Sequence, residues 1–187
     1  MTESASQTAG PYVHIGLTPN VAGVTGVFPA DLGATMRVGG HRGEPITLSG
    51  RILDGAGEPL RDALVEIWQA DADGRFAGEE GADPHFSGWG RCPCDPQDGT
   101  FRFDTVKPGP VADMAPHILI WIVARGINIG LQTRIYFDGE PRNDTDPVLS
   151  AAAPDRRATL LASAHGPGAW RFDVTLQGDR ETVFFDM

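Results

Sequence analysis

His117 opens a strand-length apolar run, His117-Ile118-Leu119-Ile120, just after the turn Lys107-Pro108-Gly109-Pro110-Val111. In a strand, side chains two residues apart share a face, so an H-x-H pair would aim two imidazoles at one metal ion. Leu119 fills the second position here, and an apolar side chain offers no donor. The remaining ligand types are scattered: the chain has two tyrosines, Tyr12 and Tyr136, and histidines at 14, 41, 85, 117 and 165. No other histidine pair has ligand spacing, and neither H-E-x-x-H nor C-x-x-C occurs. His117 therefore reads as a hydrogen-bonded core histidine, and the chain is expected to hold no metal of its own.

Other residues could bind a ligand without a metal. Arg125 ends the most apolar strand and precedes Gly126. By itself it is either a strand-end arginine paired with one of the 25 acidic residues or a fixed cation for an anionic ligand. Gly10-Pro11 is either a rigid turn or a place where backbone and a flat ring meet a ligand closely. Cys92 and Cys94 are two residues apart, too close for an unstrained bridge and too few for a zinc site. They read as free thiols of a cytoplasmic protein.

The elements that must position these residues are mostly strands. Segments 45–53, 100–106 and 170–176 alternate apolar with polar side chains, while 63–68 and 117–124 are apolar on both faces. Segment 133–137 adds a further strand, and 182–185 a short edge strand. The 24 glycines and 15 prolines punctuate the spaces between them. The one helix signal is 154–162, where Pro154 and Asp155 suit a first turn. The pattern predicts a single all-β domain, a β-sandwich with long irregular stretches at 13–44 and 70–99. Phe76, Phe86 and Trp89 argue that the second stretch is ordered; Trp68 and Trp89 read as core or subunit-contact residues.

With 15 basic and 25 acidic side chains the net charge is −10, which argues against nucleic acid and anionic membrane surfaces as partners. The first nine residues lack a basic start and an apolar core, so no secretory signal is expected, and the longest apolar run, 118–124, is too short to span a bilayer.

The order of several motifs carries a family resemblance over about 170 residues. Thr8-Ala9-Gly10-Pro11-Tyr12 is similar to the T-x-G-P-[FY] start of the intradiol ring-cleaving dioxygenases, which open catechols with non-haem ferric iron. Gly50-Arg51-Ile52-Leu53-Asp54, followed by Val65-Glu66-Ile67-Trp68-Gln69-Ala70-Asp71, resembles their G-x-V-x-D and V-E-x-W-Q-A-[DN] signatures, and residues 86–91 their F-x-G-x-G-R segment. In iron-bearing members a Tyr ligand follows K-P-G-P, another Tyr precedes the F-x-G segment, and two His ligands form H-x-H. Here Val111, Phe76 and Leu119 stand at or near those places. Residues 124–129 and 181–186 resemble the iron-free α chain of a two-chain member.

That resemblance implies an intradiol-type β-sandwich that pairs obligately with a homologous iron-bearing β chain. The Fe(3+) would belong to the β chain, the substrates would be 3,4-dihydroxybenzoate and O2, and the N-terminal arm, about 1–44, would contribute to the partner interface. It further implies that Gly10, Pro11 and Arg125 face the shared substrate pocket, with Thr8 and Tyr12 as neighbours. A non-catalytic binding module descended from such an enzyme is the competing expectation.

Overall fold

The computed structural model describes residues 7–186; Met1 to Ser6, the start of the expected arm, lie outside the described residues. Among the described residues nine strands, β1 (Pro45–Leu53), β2 (Leu64–Gln69), β3 (Trp89–Pro93), β4 (Thr100–Val106), β5 (His117–Val123), β6 (Leu131–Phe137), β7 (Leu161–Ala164), β8 (Ala169–Arg171) and β9 (Val174–Thr175), join into one sheet of order β3-β2-β5-β6-β7-β8-β1-β4, with β9 beside β1. The sheet folds over so that β3-β2-β5-β6 forms one layer and β4-β1-β8 the other.

The inward faces follow from the two-residue period. On β1, Ile46, Leu48 and Ile52 are buried, on β4 Phe101 and Phe103, and on β5 Ile118, Ile120 and Ile122, all in one core with Val65, Ile67, Ile135 and Phe137. Gly50 keeps that alternation but carries no side chain, because a Cβ there would overlap the Phe172 carbonyl oxygen. The expected sandwich is therefore present, with its two layers hydrogen-bonded through β7 and β8 into a nearly closed sheet.

Three local expectations fail. Segment 154–162 forms no α-helix: residues 157–160 make a single 3-10 turn, and Leu161 and Ala162 pair in parallel with Tyr136 and Phe137. Sheet pairing outweighs a weak local helix preference there. The α-helices lie elsewhere, as α1 (Pro11–Leu17) and α2 (Pro147–Ala151), both led by proline in the first turn. Residues 182–185 are not a regular strand, although Thr182 N–H reaches the Thr175 carbonyl and Phe185 N–H the Gln132 carbonyl. In addition, β3 emerges from the stretch read as irregular, paired antiparallel with β2 from Trp68↔Trp89 to Leu64↔Pro93.

The remainder of that stretch is ordered by two buried carboxylates. Asp71 Oδ1 accepts from the N–H groups of Asp73 and Arg75, its Oδ2 from Asp83 N–H, and Arg42 lies 3.5 Å from it. Asp83 accepts from Arg42 N–H at 2.6 Å and His85 N–H at 2.8 Å, and these bonds hold its carboxyl below the ordinary carboxylate value despite burial. A folded-state value below the unfolded one stabilises the protein above the unfolded value and ceases to do so as pH falls. Hydrogen-exchange protection factors across residues 70–88, each referred to the intrinsic rate at its own pH, should therefore fall ahead of those of the strands on acidification from about pH 5 to pH 3. In Asp83→Asn the same segment should exchange faster already at neutral pH; unchanged protection in both would refute the pinning role.

Candidate functional site

Two regions matter: the face around His117 and Leu119, where the H-x-H positions fall, and the corner of Gly10, Pro11 and Arg125. On the outer face of the β2-β5-β6 layer, Trp68, Leu119 and Arg134 lie in one register row, and Trp68 stacks on Phe76 at 6.4 Å between ring centroids. His117, two residues back along β5, is buried, with Nδ1 2.8 Å from the Ala115 carbonyl. A carbonyl can only accept, so Nδ1 carries the proton and Nε2 the lone pair. Burial, reinforced by the nearby Arg134 charge, lowers the imidazole's proton affinity, partly offset by the Ala115 bond.

Arg134 has a buried Nε without a partner among the described residues, and its Nη1 lies 3.2 Å from Met114 Sδ. A guanidinium near His117 is a permanent cation that would repel a metal ion. Leu119, Phe76 and Val111 supply no donors, and no cluster of three His, Cys, Asp or Glu suited to a metal occurs among the described residues. The residues present do not fit iron.

What surrounds His117 is instead a polar support network. Asp146, fully buried, accepts from Tyr136 Oη at 3.0 Å and Ala115 N–H at 2.8 Å, and caps α2 by accepting from the N–H groups of Val148 and Leu149. Burial pushes the Tyr136 phenol up, keeping it protonated as the donor in that bond. The Lys107-Pro108-Gly109-Pro110 turn also has a structural part. Gly109 N–H binds the Asp71 carbonyl at 2.8 Å with no room for a Cβ beside Ala72, and Lys107 Nζ lies over the Phe137 and Trp170 rings.

The binding corner is at the far end of β5. Gly10, Pro11 and Arg125 converge there on a cavity of about 300 Å³, walled also by His14, Ile15 and Asp62. Pro11 does more than stiffen a turn: it starts α1, with Gly10 in extended conformation as its cap. Arg125 is 70% exposed at its side chain and pairs through Nε with Asp62 Oδ2 at 3.2 Å. The acidic partner expected for a strand-end arginine is present, while the cavity wall also carries the cation.

Thr8 Oγ1 donates to the Ala124 carbonyl and accepts from Gly126 N–H, whereas the Tyr12 side chain is 85% exposed, outside the cavity wall. His14 and Asp62 were missed by sequence reading. His14 Nε2 binds the Asp62 carbonyl at 3.0 Å, fixing α1 to the loop before β2. Three residues from Pro11, His14 falls one helical turn along, a signal available only once 11–17 is known to be helical.

A family model described as "Dioxygenase" matches residues 28–115. The chain is 43% identical to the protocatechuate 3,4-dioxygenase alpha chain of Pseudomonas putida, over all of this chain and 97% of that one. It is 37% identical to the protocatechuate 3,4-dioxygenase beta chain of Burkholderia cepacia over 73% of this chain and 66% of that one. Among solved structures, the dioxygenase domain of a dioxygenase–carbohydrate-binding fusion from Streptomyces sp. SirexAA-E superposes with a TM-score of 0.61 at 30% identity, covering 80% of this chain and 88% of that domain. The chain belongs to the intradiol ring-cleaving dioxygenase family, and groups there with the protocatechuate 3,4-dioxygenase alpha chains.

Proposed function

We propose that this chain is the iron-free half of a two-chain enzyme that cleaves 3,4-dihydroxybenzoate between its hydroxylated carbons, adding both atoms of O2 to give 3-carboxy-cis,cis-muconate. The Fe(3+) belongs to a homologous β chain. One observation carries the reading: the corner of Gly10, Pro11 and Arg125 is assembled around a cavity, while the face that would hold a metal carries Leu119 and Arg134. The chain thus keeps the means to receive a substrate but not the means to activate O2.

Its own residues bind and orient. Arg125 brings a fixed cation to an otherwise anionic molecule, and pairing through Nε leaves its Nη groups for an acid or a developing oxyanion. Gly10 and Pro11 form a compact wall, and Tyr12 stands exposed outside it. The arm supports obligate pairing. Tyr12, Ile15, Val21, Val24, Val27, Phe28 and Leu32 are all exposed, an apolar surface of the kind that lasting subunit interfaces cover. We assign the assembly to the cytoplasm, in keeping with the free thiols of Cys92 and Cys94, the latter pushed up to about 12 by burial.

Iron analysis tests the metal assignment. The isolated chain, refolded with ferrous salt in air, is expected to retain far less than one iron per chain and to lack visible tyrosinate-to-iron absorption. Stoichiometric iron with that colour would overturn the reading.

A further inference from the structure

We propose that Thr8 and Asp62 are positioning residues for Arg125, Thr8 fixing the backbone that carries it and Asp62 aiming its guanidinium. The inference rests on the substrate role assigned to Arg125 above.

The sheet does not reach this arginine. Pairing of β5 with β2 ends at Val123↔Leu64, and past it the turn is closed by one backbone bond, from Ile127 N–H to the Ala124 carbonyl at 3.1 Å. Gly126 has φ of 90°, a conformation open to glycine and costly for other residues, so the chain reverses sharply just after Arg125. Such a turn leaves Arg125 free to swing unless something holds its flanks.

Thr8 holds both flanks. Its hydroxyl donates to the Ala124 carbonyl at 3.2 Å and accepts from Gly126 N–H at 2.7 Å, using the two capacities of one side-chain oxygen. These bonds span more than a hundred residues of sequence, so they are a tertiary clamp and not a local turn. With its hydroxyl so engaged, and with no place in the cavity wall, Thr8 acts through Arg125 and not on a ligand.

Asp62 works on the side chain. Its Oδ2 lies 3.2 Å from Arg125 Nε, which fixes the plane of the guanidinium and leaves the Nη fork for the ligand. The same residue's carbonyl accepts from His14 Nε2 at 3.0 Å, so α1, which bears the Gly10-Pro11 wall, is referenced to the residue that aims the cation. The two walls of the cavity therefore share a single reference point.

The test uses the two-chain enzyme with 3,4-dihydroxybenzoate and the variants Thr8→Val, Thr8→Ser, Asp62→Asn and Arg125→Ala, each checked for assembly and iron. Thr8→Val keeps shape and loses both bonds, and should lower kcat/KM roughly three- to tenfold, chiefly through KM. Thr8→Ser, which restores the hydroxyl, should return to within about twofold of wild type. Asp62→Asn should fall between the two. In an Arg125→Ala background, Thr8→Val and Asp62→Asn should cost nothing further, because the group they position is gone.

Wild-type kinetics in Thr8→Val, or a loss of the same size with and without Arg125, would overturn the inference. If Arg125→Ala lowers activity while both positioning variants are silent, only the inference fails. If Arg125→Ala is itself silent, the substrate role fails first. Should Thr8→Val prevent assembly, Asp62→Asn with and without Arg125 decides the question, since Asp62 is a surface-accessible side chain.

Discussion

Replacing Arg125 with Ala in the assembled two-chain enzyme is expected to lower kcat/KM for 3,4-dihydroxybenzoate roughly ten- to a hundredfold, the worth of one charge-assisted contact of about 1.5–3 kcal/mol. Iron content and assembly should be unchanged, because no hydrogen bond of the sheet ladder or arm clamp uses the Arg125 side chain. Among the residues lining the cavity, Arg125 is the one arginine or lysine, so its removal takes away the fixed cation there. Arg125→Lys should recover only part of the activity: an ammonium retains the charge but cannot pair through one nitrogen with Asp62 while presenting a planar fork to a ligand. Wild-type turnover in Arg125→Ala would place the residue outside the pocket. Loss of assembly would make it an interface residue.

The second large effect is expected far from the pocket. Asp146→Ala removes the acceptor for Tyr136 Oη, for Ala115 N–H and for two N–H groups at the start of α2, all around a fully buried carboxylate. Leaving these donors buried and unpaired, with the helix cap gone, should destabilise the protein by on the order of 3–5 kcal/mol. Urea denaturation followed by tryptophan fluorescence measures it. Asp146→Asn should recover part of the loss, since an amide oxygen still caps α2 and accepts from Tyr136, but its NH2 faces the Ala115 N–H as donor to donor. A loss below about 1 kcal/mol would mean the network is dispensable.

The same network organises the β5–β6 face through protein contacts alone. His117 is held by Ala115, Ala115 by Asp146, and Asp146 by α2 and Tyr136. A buried histidine with a fixed tautomer is what a ligand site requires, but here its environment contains Arg134 and Leu119 in place of further donors.

The sequence was most legible where one physical pattern dominated. β1, β4 and β5 were evident from alternation or a continuous apolar run, because burial on one face or two leaves a period that needs no tertiary knowledge. β3 was hidden: Trp89-Gly90-Arg91-Cys92-Pro93 is a strand only because β2 pairs with it and Arg91 binds Glu66 at 2.6 Å. α1 was hidden for the opposite reason. Its side chains include none that is fully buried, so its apolar residues mark no core-facing stripe. The turn at 157–160 was misread as helix because the pairing of Leu161 and Ala162 with β6 cannot be seen locally.

The candidate site divides the same way. Gly10, Pro11 and Arg125 came from ordered motifs matched to a family, and the fold brings them to one cavity. Asp62 and His14 belong to no motif; they matter through long-range contacts, 63 residues apart for Asp62 and Arg125 by number and joined by a single ion pair. Spacing along a chain cannot reveal such a pair. The metal face was legible mainly through what it lacked at 119, while the positive charge of Arg134 on the same row required the β5–β6 register.

Titrating the purified iron-bearing homologous chain with this one tests the account most directly. Ring cleavage of 3,4-dihydroxybenzoate should rise with added chain and level off at one-to-one stoichiometry, with all iron remaining on the partner. Full activity of the partner alone, or ring cleavage by this chain alone, would contradict the account.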